Sequence, residues 1–330
     1  MEPVWPLTIE GLGAGVPERV VENHELEDAL GMSRGWIEAR TGIRRRHLAS
    51  EGEDTLTFAL AASRDALGAA GLHAGDLDLI LVATCTPAQP IPTTACLLQQ
   101  ALGCRHVPAF DLGAACSGFV FSLVTAAAML SSGQYRHALV VGAETLSSVT
   151  DPRDPALASL LADGAGAAVV TSRAVEGSGI LDHALGADGS LSDLLVVRAG
   201  GSARPASAET VARGLHHLRM KGSGVSRFAL TAMPAMIRGT LDRTGLAIDD
   251  LALIVPHQMN MRLIDSVSAK LGIPRAKFAL NLDEYGNTSA ASIPLALHDA
   301  WREGRVRRGD LVLLLGLGAG VTWGSVLLRL

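Results

Sequence analysis

The stretch GLHAGDLDLI at 71–80 aligns without a gap on GLAIDDLALI at 245–254, 174 residues further along the chain. The same offset carries Gly142, which closes the apolar run HALVVG, onto Gly316, which closes DLVLLLG, and nearly superposes the helical segments before them. A repeat of that period means that one half of the chain doubles the other. Within each half the pattern runs helix, short β-branched strand, loop and second helix, then another strand, the α/β alternation of a mostly parallel sheet. The first half reads as a helix over 56–70 and a strand over 77–83, and the second as a helix over 225–244 and a strand over 251–255. Two further helices, 117–131 and 288–303, follow small-residue loops, and the second stops before Gly304. The helix from Ser117 is apolar on nearly every face and must be covered all round, which predicts two sheets packed with helices between them. The halves divide as 1–173 and 174–330.

Composition narrows the class. With 330 residues, 48% apolar and 18% charged, the chain can bury a large core, which excludes disorder and collagen-like structure. Its 28 basic and 33 acidic residues give a net charge of -5, so no electrostatic footprint for nucleic acid exists and any basic docking patch must be local. Cys85, Cys96, Cys104 and Cys116 form no Cys-x-x-Cys pair and lack histidines at zinc spacing, which argues against both a disulfide framework and a metal site. The amino terminus lacks the basic and apolar regions of an export signal, so the expected location is cytoplasmic. The most apolar stretch, 119–130, is too short to span a bilayer, and no membrane association is expected. The segment 181–218 shows no clear periodicity and reads as a long surface excursion near a site.

Three positions stand out chemically. In DLGAACSGF at 111–119, an apolar strand end leads through small residues to Cys116 and then a long helix. Unpaired amides and the positive end of the helix dipole would lower the pKa of a thiol there, whereas a buried structural cysteine is the alternative, and the preferred reading of the other three. His257, in IVPHQMN at 254–260, follows the strand that the repeat matches to 77–83, and strand ends in parallel sheets are where ligands bind. Asn287, in EYGNTSAAS at 284–292, lies where the repeat places the counterpart of the Cys116 loop, although on the residues alone a plain helix cap is the preferred reading. The glycine-rich GLGAG at 316–320 is followed by strand-like sequence and GLGAGV at 11–16 by Pro17, so neither copy offers the helix that a dinucleotide site needs.

Together the cysteine loop, PHQMN, GNTSAAS and the terminal GAGVTWGS resemble the β-ketoacyl-acyl carrier protein synthase III family of the thiolase superfamily. GWIEARTGIRRRH at 35–47, DGAGAAVV at 163–170 and RMKGSGV at 219–225 fit in the same order, so the likeness covers nearly the whole chain. The resemblance implies a thiolase-like duplicated five-layer αβαβα sandwich, usually a homodimer. It implies that Cys116 takes an acyl group from acyl-coenzyme A, and that malonyl-acyl carrier protein loses carbon dioxide to give an enolate that attacks the acyl-enzyme. His257 (as a neutral donor) and Asn287 would then stabilise the enolate, and the backbone amides of Cys116 and Ala319 the tetrahedral intermediates. No metal or nicotinamide is called for.

By the same likeness Trp36 and Arg40 meet the nucleotide end of coenzyme A, and Gly222, Ser223, Ser226 and Asn260 line the pantetheine channel. Arg227, Arg262 and Lys270 would dock the acidic carrier protein, and Ile91 would enter the partner subunit's acyl pocket. The chain departs from the family's pattern at Pro155, where an adenine-sandwiching arginine is common and Arg153 is the nearest substitute. Ser223 and Ser226 replace an asparagine and a phenylalanine, which implies a wider or wetter channel entrance, and Ile91 replaces an aromatic residue, which bears on acyl-chain length or branching. A specialised-metabolite ketosynthase, a simple acyltransferase and a non-catalytic partner subunit are the competing readings.

Overall fold

Leu79–Ala83 is buried along its whole length, as a strand covered on both faces must be. In the computed structural model, which describes residues 2–172 and 175–330, it pairs in parallel with both Ala109–Leu112 and His137–Thr145. Asp163–Thr171 and Thr8–Gly15 complete the five-stranded sheet by antiparallel pairing. The second half builds the same core from Leu253–Pro256, Leu311–Gly318, Thr322–Arg329 and Gly179–Ala187. Leu79 lies opposite Ala138 and Leu253 opposite Val312, so the offset seen in the sequence is kept in the strand register. Gly142 likewise faces Gly166, and Gly316 faces Gly324.

The central helices Gly118–Ser131 and Ser292–Arg302 lie between the sheets, and their apolar side chains share one core with residues from both. Thr55–Ala70 and Thr94–Leu102 cover the outer face of the first sheet, Gly222–Thr244 and Met261–Leu271 that of the second. The result is the five-layer αβαβα sandwich expected.

Each central helix is entered through a 3-10 turn, Ala115–Ser117 or Ser289–Ala291, so both begin later than the sequence suggests. Ala115 (φ 46°) and Ser289 (φ 50°) are the non-glycine residues of positive φ among the described residues, and they stand at the same 174-residue offset. Backbone in this region is strained for residues with a Cβ and gathers at functional sites.

One reading needs amendment. The segment 181–218 is not wholly an excursion, because its first residues belong to Gly179–Ala187, a core strand. The remainder folds into a hairpin of Leu195–Val197 with Leu218–Met220 and a short helix, Ala208–Ala212. Trp5–Pro6 crosses from the first half to pair with Gly179–Ala187 at the edge of the second sheet. The division between residues 173 and 174 falls outside the described residues.

Candidate active site

Glycines bring the two halves together. A Cβ on Gly142 would lie 2.2 Å from the carbonyl oxygen of Ala290, and one on Gly316 would lie 2.8 Å from Cα of Ser117. Each central turn therefore rests on the mid-strand glycine of the opposite sheet, and the Cys116 and Ser289 turns meet between the sheets. Gly318 keeps the terminal GLGAG loop against them, since a Cβ there would come 3.0 Å from the Cys116 amide.

Cys116, His257, Asn287 and Ala319 all line one cavity of about 440 Å³ at this junction. Asn287 closes a turn rather than capping the helix: its Oδ1 accepts from the Ser289 amide two residues on at 2.9 Å, while Thr288 and Ala291 hold the cap positions. That bond orients the carboxamide and leaves its nitrogen, a donor, for the cavity. The Asn287 backbone is clamped by the Leu160 carbonyl and the Ala162 amide, at 3.0 and 2.9 Å. His257 follows Leu253–Pro256, and its Nδ1 meets Ser292 Oγ at 2.7 Å. Ser292 Oγ lies within donating reach of both the Ser289 carbonyl (2.8 Å) and Nδ1, and when its hydrogen goes to Nδ1 the imidazole carries its own on Nε2. Donation from Nε2 requires the Ser292 hydroxyl to turn its hydrogen onto Nδ1.

Burial holds His257 far below the ordinary histidine value, at about 3, because no carboxylate compensates an imidazolium there. The ring is therefore neutral throughout the physiological range, as expected. Proton NMR of a sample labelled at histidine should show His257 shifts constant from pH 5 to 8 while exposed histidines titrate; a midpoint near the ordinary value would show that the site is wetter than drawn.

The thiol departs from expectation. Burial pushes Cys116 up to about 11; hydrogen bonding to Ser289 pulls it back and the Glu144 carboxylate pushes it up again. Cys116 belongs to the 3-10 turn ahead of Gly118 and has a buried acid behind it.

The other residues singled out divide. Gly222, Ser226 and Asn260 line the cavity, whereas Ser223 is exposed on the first turn of its helix and takes no part in the wall. Asn260 also caps Met261–Leu271 and donates to the Arg40 carbonyl at 3.2 Å. Arg40 stacks its guanidinium 4.2 Å above the Trp36 ring, and neither side chain reaches the cavity. Arg227 and Arg262 are exposed on adjoining helices, and Lys270 bridges them by donating to the Leu230 carbonyl. Ile91 is 87% exposed. Pro155 opens a short helix capped by Asp154, and Arg153 is bound to the Asp151 carboxylate at 3.1 and 3.3 Å.

Several cavity residues escape local reading. Cys85, taken as structural, opens onto the cavity beside Cys116. Ser289 also lines it, and the hairpin supplies the apolar wall of Leu195, Val197, Leu218 and Met220. Ser292 was visible within EYGNTSAAS, but nothing local announces its bond to His257.

Two doubled sheets converging on a cavity with a thiol, an imidazole and a carboxamide define a condensing enzyme of the thiolase fold. The sequence model of 3-Oxoacyl-[acyl-carrier-protein (ACP)] synthase III matches residues 110–189, and that of its C-terminal part matches residues 241–330. The chain belongs to the β-ketoacyl-acyl carrier protein synthase III family, and is an acyltransferase-type condensing enzyme. It is 47% identical to the β-ketoacyl-acyl carrier protein synthase III of Symbiobacterium thermophilum, over 99% of this chain and 98% of that one. The crystal structure of the 3-oxoacyl-acyl carrier protein synthase III of Aquifex aeolicus superposes with a TM-score of 0.90 at 42% identity, covering 98% and 100% of the two chains. A priming β-ketosynthase from a polyketide biosynthetic pathway superposes at 0.89 with 35% identity, covering 100% of this chain and 98% of that one.

Proposed function

We propose that the chain starts fatty-acid synthesis by a decarboxylating Claisen condensation, joining an acyl group from acyl-coenzyme A to malonyl-acyl carrier protein. The observation that carries this reading is the meeting of Cys116, His257 and Asn287 in one largely apolar cavity. Cys116 takes the acyl group, splitting one difficult transfer into two easier ones. The carboxamide nitrogen of Asn287 and Nε2 of His257, once Ser292 has turned, receive the thioester oxygen on which charge develops as carbon dioxide leaves. The amides of Cys116 and Ala319, held together by Gly318, serve the tetrahedral intermediates; losing one such donor costs about 3 kcal/mol of barrier. Coenzyme A enters as a substrate, and the reaction uses no metal or nicotinamide.

The Trp36 and Arg40 pair, which Asn260 ties to the cavity rim, receives the nucleotide of coenzyme A. Arg227, Arg262 and Lys270 steer the acidic carrier protein locally despite the net negative charge. The exposed Ile91 and the edge strand Ala109–Leu112 suit a homodimer in which Ile91 closes the partner's acyl pocket. No helix among the described residues is long and apolar enough to cross a membrane; the substrates are those of the cytoplasm.

Incubation with acyl-coenzyme A donors of graded length and malonyl-acyl carrier protein should release carbon dioxide and give β-ketoacyl product. No product at any length would refute the assignment, and an absent acyl adduct would point to a non-catalytic subunit. A ketosynthase of a specialised pathway is the second reading, favoured by Ser226 on the cavity wall and the likeness to the polyketide priming enzyme. Product mass separates the two.

A further inference from the structure

Behind the cavity wall, at the end of His137–Thr145, Glu144 is fully buried. Its Oε1 receives the Cys85 amide at 3.2 Å, the Cys85 thiol at 3.1 Å and the Ser289 hydroxyl at 3.0 Å. Its Oε2 receives the amides of Cys85 and Thr86, both at 3.1 Å, and the hydroxyls of Thr84 at 3.2 Å and Thr86 at 2.5 Å. Every neighbour is a donor, which suits an ionised carboxylate, because a carboxylic acid would need an acceptor for its own proton. None of these neighbours is a cation. A buried carboxylate without a counter-ion is costly, so its position one side chain away from the nucleophile calls for a reason.

Ser289 joins it to the cavity. The serine hydroxyl donates to Glu144 Oε1 and lines the cavity that the Cys116 and Cys85 thiols also line. The rival proton acceptor, His257, leads nowhere. Its Nδ1 is bonded to the Ser292 hydroxyl and meets no carboxylate that would balance a charge on the ring. A proton on Nε2 would stay on the ring as a buried imidazolium.

We infer that Ser289 and Glu144 form the proton acceptor for Cys116 during acylation, with Ser289 beside the reacting sulfur and Glu144 acting through it. The inference deepens the condensing reaction proposed above and rests on its first half. As the sulfur attacks the thioester carbon, the S–H proton passes to Ser289 Oγ, the Ser289 proton passes to Glu144 Oε1, and the new S–C bond forms. When the tetrahedral adduct collapses, the C–S bond to the carrier breaks and the proton returns by the same two steps to the departing thiolate. Negative charge thus moves from Glu144 to the oxyanion and back, and no other reactant is needed. Burial raises the affinity of Glu144 for a proton, which suits an acceptor better than an ordinary surface carboxylate. The titratable groups facing this pair are Cys116 and Cys85, with His257 lining the same cavity.

The test uses the intact protein, the variants Glu144→Gln and Ser289→Ala, and three reagents. Acylation by acyl-coenzyme A at pH 7 should fall roughly 100-fold or more in both variants. Alkylation of Cys116 by iodoacetamide, which consumes thiolate, should become faster in Glu144→Gln and its pH midpoint should move down, because the opposing charge is gone. Opposite signs of the two effects mark a proton acceptor; a merely structural loss lowers both rates. In Ser289→Ala, which keeps the carboxylate, the loss of acylation at pH 7 should shrink as the pH rises and thiolate forms without the relay, whereas a structural loss would stay constant with pH; this profile carries the test if Glu144→Gln does not fold. The third reagent, p-nitrophenyl acetate, acylates the thiol whatever the natural donor. If the wild type ignores acyl-coenzyme A but the variants lose the ester reaction, the proposed function fails and the relay stands. Ester acylation within threefold of wild type in both variants overturns the relay.

Discussion

Cys116→Ala is expected to leave no acyl-enzyme at all, although a second thiol stands in the same cavity. Intact-protein mass spectrometry after exposure to acyl-coenzyme A should show one adduct on the wild type, one on Cys85→Ala and none on Cys116→Ala. Condensation in Cys116→Ala should fall by about 10⁴-fold or more, as when other enzymes lose a nucleophile. The two thiols differ in what holds their protons. Cys85 donates directly to Glu144 Oε1 at 3.1 Å, and burial together with that carboxylate drives its pKa well above the ordinary thiol value. Its proton is pinned, and a carboxylate stands where a thiolate would have to form. Cys116 shares the cavity with Ser289, through whose hydroxyl the proposed relay lets a proton leave. An adduct on Cys85 in the Cys116→Ala protein would show that cavity position alone, without a proton path, selects the nucleophile.

Burial holds the Cys116 thiol above its ordinary value, at about 11, which favours the protonated form at neutral pH. Attack therefore depends on removing the proton as the bond forms, and the helix end alone does not supply the acceptor. Neutral His257 fits the second half-reaction instead, where a hydrogen bond to an oxygen of growing charge is wanted and a permanent positive charge is not. Two buried groups with opposite tasks thus have protonation states set by the same low-dielectric surroundings.

What could be read from the chain depended on whether a signal was local. The doubling was legible because strand register preserves the 174-residue offset, so apolar runs and their closing glycines recur in step. Cys116, His257 and Asn287 were legible because each sits where a strand or turn gives way to a helix, and such junctions point into the cavity. Gly179–Ala187 was missed as a strand because HALGA carries no β-branched residue, and it is its neighbours, Thr322–Arg329 and Trp5–Pro6, that hold it in the sheet. The Glu144 network was out of reach altogether. It joins side chains about 60 and 145 residues apart, from a strand end, a loop and a turn that look unremarkable one at a time. The thiol's pKa departs from the reading for the same reason, since a helix start is visible locally and the burial of the sulfur, with a carboxylate behind it, is not.

Gly142→Ala is expected to do the greatest damage to the fold. The added methyl would lie 2.2 Å from the carbonyl oxygen, 2.7 Å from the carbonyl carbon of Ala290 and 3.1 Å from the Ala291 amide, all backbone atoms that no rotamer change can move aside. Relief requires the Ser289–Ala291 turn to lift off the first sheet, at a loss of more than about 3 kcal/mol. Urea denaturation should show a much lower midpoint at an unchanged slope, or no folded protein. Gly316→Ala, its counterpart at the repeat offset, meets Ser117 Cα at 2.8 Å and should be destabilised in the same sense by displacing the other turn. Gly75→Ala, with nothing within 4 Å of the new methyl, should stay within about 0.5 kcal/mol of the wild type. Any folded Gly142→Ala protein should also acylate poorly, because the lifted turn carries Ser289 away from Glu144 and removes the amide that orients Asn287. A normal midpoint for Gly142→Ala would mean that the turns do not rest on the opposite sheets, and the geometry that brings the thiol, imidazole and carboxamide together would have to be redrawn.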